Sequence, residues 1–317
     1  MIKMYHTDIE TNKTEQTQEL KKGNWINIVA PTETEIKQIC SKIKIQEDFI
    51  RYSLDYEEKA RIDIEEDDNT VLFIIDVPVM EKENSENIHS TMPLGMIVVR
   101  DDYFITVSLK PTKIINEIEK NIIKNTITTY KKSRMILQIF YKNAEMFLSE
   151  LKKINREKEQ TEKELNTSMK NRELLKMLSL EKGLVYFTTS LKSNEVVMEK
   201  TLRGKILKLY EEDEDLLEDA IIENKQAIEM SKIYSDILSG TMDAYASIIS
   251  NNLNIVMKVL TTITIILSIP TIIGSFWGMN VQVPFAENPF GFYIVILLCI
   301  IIGIFTFILF KKKNMLN

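Results

Sequence analysis

Two stretches near the C-terminal end of the chain are apolar and contain no charged side chain. The first, Val259–Trp277, is nineteen residues long, and the second, Phe290–Phe310, is twenty-one. A bilayer core about 30 Å thick needs roughly 20 residues of helix, whereas apolar runs of about 10–14 residues are typical of helices buried in soluble proteins. The pattern therefore predicts two membrane-spanning helices, at 258–277 and 290–310, joined by a loop at 278–289.

The basic residues predict the orientation of this hairpin. Lys258 stands at the entrance to the first span, Lys311–Lys313 follow the second, and the loop 278–289 contains no Lys or Arg. Because basic residues stay on the cytoplasmic side, we expect both termini in the cytosol and the loop outside. The chain would then be a two-span protein of the cytoplasmic (inner) membrane, with a cytosolic body before the spans and a basic tail at 311–317.

Residues 1–110 alternate between apolar and polar positions as β-strands do. Four segments rich in β-branched residues predict strands: Trp25–Ala30, Ala60–Glu66, Thr70–Val79 and Met96–Leu109. The last of these segments predicts a hairpin of two strands with Asp101 and Asp102 at its bend. The segment Pro31–Ile43 predicts a helix opened by Pro31 and capped by Thr32 or Thr34. We expect an α/β domain in the cytosol.

Residues 111–257 predict long helices instead. No proline occurs between Pro111 and Pro270, and Lys and Glu alternate with regularly spaced Leu, Ile and Met. We expect breaks near 166–171 and 204–213, and a third helix that continues from about Asp213 into the first span. The predicted fold is thus an α/β N-terminal cytosolic domain, then long α-helices forming a coiled-coil-like stalk, then two C-terminal transmembrane helices.

A polar stripe follows one face of the first span. Its members recur at spacings of three and four, as one helix face requires: Asn254, Met257, Thr261, Thr264, Ser268, Thr271, Ser275 and Gly278. Small and hydroxyl residues, with Gly274 and Gly278 four apart, would allow close packing of membrane helices. The alternative is a water-filled pore lined by hydroxyl groups, and a ring of identical helices would satisfy both hypotheses.

The absence of charge from the span favours passive conduction, because ion-coupled transporters usually carry ionisable residues within the membrane. The composition adds little chemistry. His6 and His89 are the two histidines, and Cys40 and Cys299 are the two cysteines, so neither a zinc site nor a disulfide framework is indicated. No Walker A or GxGxxG motif is present, and we expect neither an enzyme nor a nucleic-acid partner.

Several segments carry a family resemblance. The tripeptide Gly278-Met279-Asn280 lies at the outer end of the first span, after "SIISNNLNIVMKVLT", and the second span closes with "KKKNML". Upstream stand "EDLLEDAIIENKQ", "LSLEKGLVYFTTSLKSN" and the looser Arg61-x-Asp63-x-Glu65. In these features, which extend over nearly the whole chain, the sequence resembles the CorA family of divalent cation channels.

The resemblance implies a funnel-shaped homopentamer in which the long third helix of each subunit lines a central pore through the bilayer. Gly278, Met279 and Asn280 would form the selectivity filter and meet hydrated Mg²⁺, while Met257 and Leu260 would form an apolar constriction with Asn254 beneath it. The stripe residues, Thr271 among them, would line the remainder of the pore: Thr261, Thr264, Ser268, Thr271 and Ser275. Ser268 stands where many members have methionine, and Trp277 replaces a tyrosine.

The resemblance also implies regulation by cytosolic Mg²⁺, which would be both the transported ion and a regulatory ligand. Asp219, in the acidic run Glu211–Asp219, matches an aspartate that shares a divalent cation with the neighbouring subunit, and its partner would be Asp67 or Asp68. Glu287 is the single acid of the outer loop. Co²⁺ or Ni²⁺ are further expected ions. Two alternatives are the same fold carrying Zn²⁺ or another divalent metal, and a non-conducting, membrane-tethered helical scaffold.

Overall fold

The computed structural model describes residues 1–83, 86–100, 102–123, 128–168, 171–204, 206–284 and 288–313. The chain divides into two compact units, Met1–Ser239 and Gly240–Asn317. The functional boundaries expected at 110, 257, 277, 289 and 310 stay a prediction. Glu287 and Asp101 lie outside the described residues.

A mixed sheet occupies the first unit. Its seven strands, counted over the described residues, are β1 Ile2–Thr7, β2 Thr14–Thr17, β3 Trp25–Val29, β4 Arg61–Glu65, β5 Thr70–Glu83, β6 Glu86–Val99 and β7 Tyr103–Ser108. They lie in the order β2-β1-β3-β7-β6-β5-β4, and only the β3–β7 pair of these is parallel. The predicted strands are therefore confirmed. β5 is longer than predicted, β6 starts ten residues before Met96, and β1 and β2 were not predicted.

The helices are α1 Glu33–Ile43, α2 Glu47–Tyr52, α3 Lys113–Ile123, α4 Lys132–Ser168, α5 Asn171–Arg203, α6 Glu211–Trp277 and α7 Gly291–Lys312. The two expected breaks are confirmed, since α4 ends at Ser168 and α5 begins at Asn171, and α5 ends at Arg203 before α6 begins at Glu211. The third long helix begins within two residues of Asp213 and runs without interruption to Trp277. Boundaries that differ by one or two residues carry no structural meaning.

Thr32 caps α1, which decides between the two residues that the sequence left open. Its hydroxyl oxygen accepts a hydrogen bond from the Glu35 backbone N–H at 3.3 Å, and the Glu35 carboxylate accepts one from the Thr32 N–H at 2.8 Å. This reciprocal arrangement is a capping box, and it satisfies backbone donors that a helix start otherwise leaves without partners.

The sheet separates two hydrophobic cores because successive side chains on a strand point to opposite faces. Phe73, Ile75 and Val77 of β5 belong to one core with residues of α3 to α6, whereas Leu72 and Ile74 belong to the other with residues of α1 and α2. A continuous apolar run on β5 thus reflects a strand buried on both sides.

Side-chain amides occupy the outer edge of β5 beyond the end of β4. β4 pairs with β5 only as far as Ile74. Two residues on, the Asp76 N–H donates to Asn194 Oδ1 at 2.8 Å, and the Asp76 carbonyl accepts from Asn194 Nδ2 and Asn143 Nδ2, each at 2.8 Å. Asn194 of α5 therefore bonds this peptide as a neighbouring strand would. Pro78, with the same orientation in the strand, has no N–H to offer there.

Candidate functional site

The polar stripe lies on the membrane-length part of α6, in the second unit. Both α6 and α7 contain a segment long and apolar enough to cross a membrane. Within this single chain the stripe is uncovered: Asn254, Thr261, Thr264, Thr271 and Ser275 are exposed, and Ser268 is half-buried. The apolar members of the predicted constriction, Met257 and Leu260, are exposed as well.

Hydroxyl groups of the stripe use their hydrogens within the helix. Thr264 Oγ1 donates to the Leu260 carbonyl at 2.8 Å, Ser268 Oγ donates to the Thr264 carbonyl at 2.8 Å, and Thr271 Oγ1 donates to the Leu267 carbonyl at 3.3 Å. A hydroxyl that donates inward keeps its lone pairs as acceptors. The stripe therefore presents oxygen acceptors at regular intervals along one exposed face, which suits the water shell of a cation.

The Gly-Met-Asn tripeptide lies where α6 ends. The Gly278 N–H still donates to the Gly274 carbonyl at 2.9 Å, and the Met279 N–H reaches the Phe276 carbonyl at 3.4 Å. A Cβ on residue 278 would lie 3.3 Å from the Gly274 carbonyl oxygen, so glycine permits this close approach. Met279 and Asn280 are exposed.

Trp277, which stands where the family resemblance implies a tyrosine, is hydrogen-bonded to the loop that follows it. Its indole Nε1–H donates to the Pro284 carbonyl at 3.0 Å, so that the segment after the tripeptide folds back over the helix end. The hydrogen bond of Trp277 therefore bears on the position of the loop at Pro284.

Thr262 is a residue that the sequence reasoning missed. It is fully buried, and its Oγ1 has no hydrogen-bond partner among the described residues. It lies off the stripe, so periodicity did not select it. No sequence signal distinguishes it from the exposed threonine next to it.

The regulatory candidates lie in the first unit. Asp219 is an exposed residue of α6. The pKa of Tyr141 on α4 is raised, first by the negative charge of Glu145, then by burial and by the charges of Glu223 and Asp219. Asp67 is exposed in the turn between β4 and β5, and the neighbouring Asp68 accepts a hydrogen bond from Arg100 Nη2 at 2.9 Å.

Within one chain the structure does not assemble a metal centre from these carboxylates. Among the described residues, no group of three or more His, Cys, Asp or Glu side chains is placed to hold a metal ion. The sequence expectation was a site between subunits, which a single chain leaves untested. The roles of Asp219, Asp67 and Asp68 stay predictions, as do those of the stripe and the tripeptide.

Comparisons with known proteins extend over nearly the whole chain. The family model described as "CorA-like Mg2+ transporter protein" matches residues 21–312. The chain is 30% identical over 301 residues to the cobalt/magnesium transport protein CorA of Methanocaldococcus jannaschii, covering 92% of this chain and 90% of that protein. It is 34% identical over 148 residues to the protein of the same name from Thermotoga maritima, covering 43% and 42% of the two chains.

The fold comparison agrees. The complete structure of the CorA magnesium transporter from Methanocaldococcus jannaschii superposes with a TM-score of 0.84 at 26% identity, covering 98% of each chain. The similarity thus includes the sheet, the long helices and both apolar helices.

Proposed function

Because the chain belongs to the CorA family, we propose that it carries Mg²⁺ passively across the cytoplasmic membrane as a homopentameric channel whose opening is controlled by cytosolic Mg²⁺. The observation that carries this proposal is the stripe of outward hydroxyl acceptors along α6, which is free of charge and ends at Gly278-Met279-Asn280. Co²⁺, named for two of the relatives, and Ni²⁺ would be further cargo.

The exposure of the stripe supports self-association. A row of hydroxyl acceptors is placed better against water or another helix than against lipid, because hydrocarbon offers these oxygens no hydrogen-bond donor. Copies of α6 arranged around an axis would turn these oxygens to a common water-filled interior, while α7, with hardly any polar residue, would face lipid. Five copies are what the family resemblance implies. Both termini would lie in the cytosol.

Each pore residue has a proposed task. Asn280 side-chain oxygens and Gly278 carbonyls would meet Mg²⁺ through its water shell, which Mg²⁺ gives up reluctantly. Thr271 and the hydroxyls below it would continue that contact. Met257 and Leu260 would close the pore by excluding water. With Ser268 in place of methionine, the apolar gate would be short.

The proposed regulation places a divalent cation between Asp219 of one subunit and a carboxylate of the next. Asp67 is the better candidate partner, because the Asp68 carboxylate is already bonded to Arg100. Without the cation, the carboxylates that neighbouring subunits bring to this site would repel one another and separate the subunits.

Flux into proteoliposomes, read by an internal Mg²⁺ dye, tests the pore. We expect Asn280→Ala to reduce uptake at least tenfold, and Gln282→Ala, an exposed amide of the same loop, to conduct normally. Equal uptake by both variants would remove Asn280 from the filter, and no uptake by a folded, pentameric wild type would favour the scaffold.

In the same vesicles Asp219→Asn should raise the internal Mg²⁺ concentration at which uptake stops, and an unchanged threshold would remove Asp219 from the sensor.

Zn²⁺ transport on the same fold is the second candidate. The described stripe offers oxygen acceptors and no imidazole or thiolate, and such ligands favour a hard cation over zinc. Competition of Zn²⁺ with Mg²⁺ in the same vesicles would separate the two.

A further inference from the structure

The long hairpin formed by β5 and β6 carries one of the chain's two histidines in a buried position. His89 lies on β6 opposite Met80 of β5 and is only 1% exposed. It belongs neither to the proposed pore nor to the proposed regulatory pair. Because the charge of a histidine changes between about pH 5 and 8, a buried histidine makes its surroundings sensitive to protons.

Two helices close over His89. On α5, a Cβ on residue 183 would lie 2.8 Å from His89 Cβ, so Gly183 permits an approach that a side chain would prevent. The imidazole packs edge-on against Phe187, one turn further along α5, at a centroid distance of 6.1 Å. Phe187 in turn packs edge-on against Phe147 of α4 at 5.1 Å. The imidazole is therefore enclosed by largely apolar groups.

Glu157 of α4 is the acidic partner of His89. Its Oε2 lies 3.4 Å from His89 Nε2, and its side chain is 35% exposed. The hydrogen bond from His89 is the largest of the effects that lower the pKa of the Glu157 carboxyl. Burial opposes it, and the charges of His89, Lys176 and Lys153 add to it. The carboxylate therefore stays ionised throughout the range in which a histidine changes charge.

The strength of this contact depends on the charge of the imidazole. At 3.4 Å the contact is longer than the about 2.7–3.2 Å typical of N–H···O hydrogen bonds, so a neutral ring gains little from it. An imidazolium ring forms an ion pair with the carboxylate instead, and enclosure of the ring reduces screening by water and salt. Glu157 still reaches water, which limits the desolvation cost of the pair. The contribution of the ion pair is therefore complete at low pH and is lost as the pH rises and the ring loses its proton.

We infer that His89 and Glu157 form a proton-sensitive latch. The imidazolium form holds the β5–β6 hairpin against α4, and the neutral form loosens this contact. The His89–Glu157 latch rests on contacts within the first unit and does not depend on the proposed transport. It is therefore tested on the full-length chain without any measurement of flux.

Asp76 is a second titratable group on this hairpin, where it pairs with Pro93 of β6. Burial raises the pKa of its carboxyl, and a hydrogen bond with Ser190 of α5 opposes this effect. A change of stability with pH could therefore come from Asp76 as well as from His89. The experiment has to separate the two groups.

Hydrogen–deuterium exchange of the full-length protein in detergent, at about pH 5.5 and about pH 8.5, tests the latch on both sides of the histidine range. Each variant is compared with the wild type at the same pH, so that the intrinsic pH dependence of exchange cancels. Glu157→Gln should speed exchange of the β6 amides around His89 at least threefold at the lower pH and leave it unchanged at the higher pH. Glu159→Gln, at an exposed carboxylate that accepts a hydrogen bond from Asn155 of the same helix, should change neither.

Three outcomes of this comparison would overturn the latch. Equal acceleration at both pH values would make the contact a permanent hydrogen bond, and no acceleration at either would remove Glu157 from it. Equal acceleration in β3, which β7 separates from β6, would indicate a global loss of stability rather than a local opening.

A His89→Gln background identifies the group that takes up the proton. In this background Glu157→Gln should act equally at both pH values. A remaining difference would place the proton on another group, such as Asp76, and would overturn the assignment to His89. Because Glu157 is partly exposed, the comparison of Glu157→Gln with Glu159→Gln stays decisive if His89→Gln does not fold.

Discussion

The two compact units of this chain treat their apolar side chains in opposite ways. In Met1–Ser239 the phenylalanines Phe73, Phe104 and Phe140 are completely buried, whereas in Gly240–Asn317 Phe292 and Phe305 are 71% and 62% exposed. The first unit buries these aromatic rings within one chain. The second unit can bury its exposed rings only against lipid or against other copies, so its stability depends on these contacts as well as on its own sequence.

Polar groups differ between the units in the same sense. Around Trp25 the indole N–H donates to Thr106 Oγ1 at 3.0 Å, and this hydroxyl donates to Asn27 Oδ1 at 3.1 Å, so each group has a partner from another strand. The hydroxyls of the α6 stripe bond only to their own helix. Paired polar groups fix a fold, whereas outward acceptors are available to water and ions.

The largest effect should come from removing a core aromatic ring. Phe140 packs edge-on against Phe73 at a centroid distance of 6.4 Å. Phe140→Ala should lower the free energy of unfolding by about 3–5 kcal/mol through lost burial and the cavity left behind. Chemical denaturation of the detergent-solubilised chain, followed by Trp fluorescence, measures this loss.

Phe305→Ala is the matched variant in the second unit and should leave the same transition unchanged in dispersed monomers. A comparable loss there would mean that the second unit buries this ring within one chain, and the contrast between the units would break down.

A smaller effect should follow from adding one methyl group to a packed glycine. A Cβ on Gly95 of β6 would collide with the Ser53 side chain, whereas no heavy atom of the described residues lies within 4 Å of a Cβ on Gly303 of α7. Gly95→Ala should therefore cost about 1–3 kcal/mol by overpacking. The thermal midpoints of the two variants provide the comparison.

Gly303→Ala should be tolerated by single chains. If it lowers the midpoint only in reconstituted membranes, another copy packs against α7 there, which would sharpen the contrast. If Gly95→Ala is silent, β6 and α2 are not closely packed.

The smallest effect at neutral pH should come from Tyr5, which stacks on Trp25. Burial first, and then the charge of Glu119, raises the pKa of Tyr5 from 10.0 to about 12. Because the folded state holds this proton more tightly than the unfolded state, the contribution to stability is complete below pH 10 and is lost as the pH rises towards 12. Tyr5→Phe should therefore lack this alkaline loss.

Ultraviolet absorbance of tyrosinate checks the assignment. Between pH 10 and 11, wild type and Tyr5→Phe should form equal amounts of tyrosinate. A deficit of one tyrosinate in the variant would mean that Tyr5 ionises normally and that water reaches this part of the first unit.

Local patterns predicted much of the fold. Two uncharged runs predicted the apolar helices, and missing breakers predicted α4 to α6. The pairing of β3 with β7 could not be predicted, because it joins segments more than seventy residues apart in sequence. β1 and β2 were missed since short strands with mixed polarity have no clear period, and the choice of Thr32 over Thr34 needed the observed geometry.

The candidate pore residues could be predicted from the sequence for a different reason. Helical periodicity groups the stripe residues on one face wherever the helix forms, and the family resemblance supplied the roles of Asn280 and Asp219, which stay predictions. A cavity between the starts of α4 and α6 could not be predicted from the sequence, because it is lined by Lys131 and Asp213 from segments about eighty residues apart.

The amide of Asn194 on the edge of β5 has a consequence for aggregation while the chain is being synthesised. An exposed strand edge templates pairing with strands of other chains, and natural sheets protect such edges. Asn194 and Asn143 fill the hydrogen bonds of Asp76, and Pro78 withholds the next donor. The protected edge keeps the sheet from pairing with strands of other chains, so that in the proposed assembly contact between copies is left to the helices.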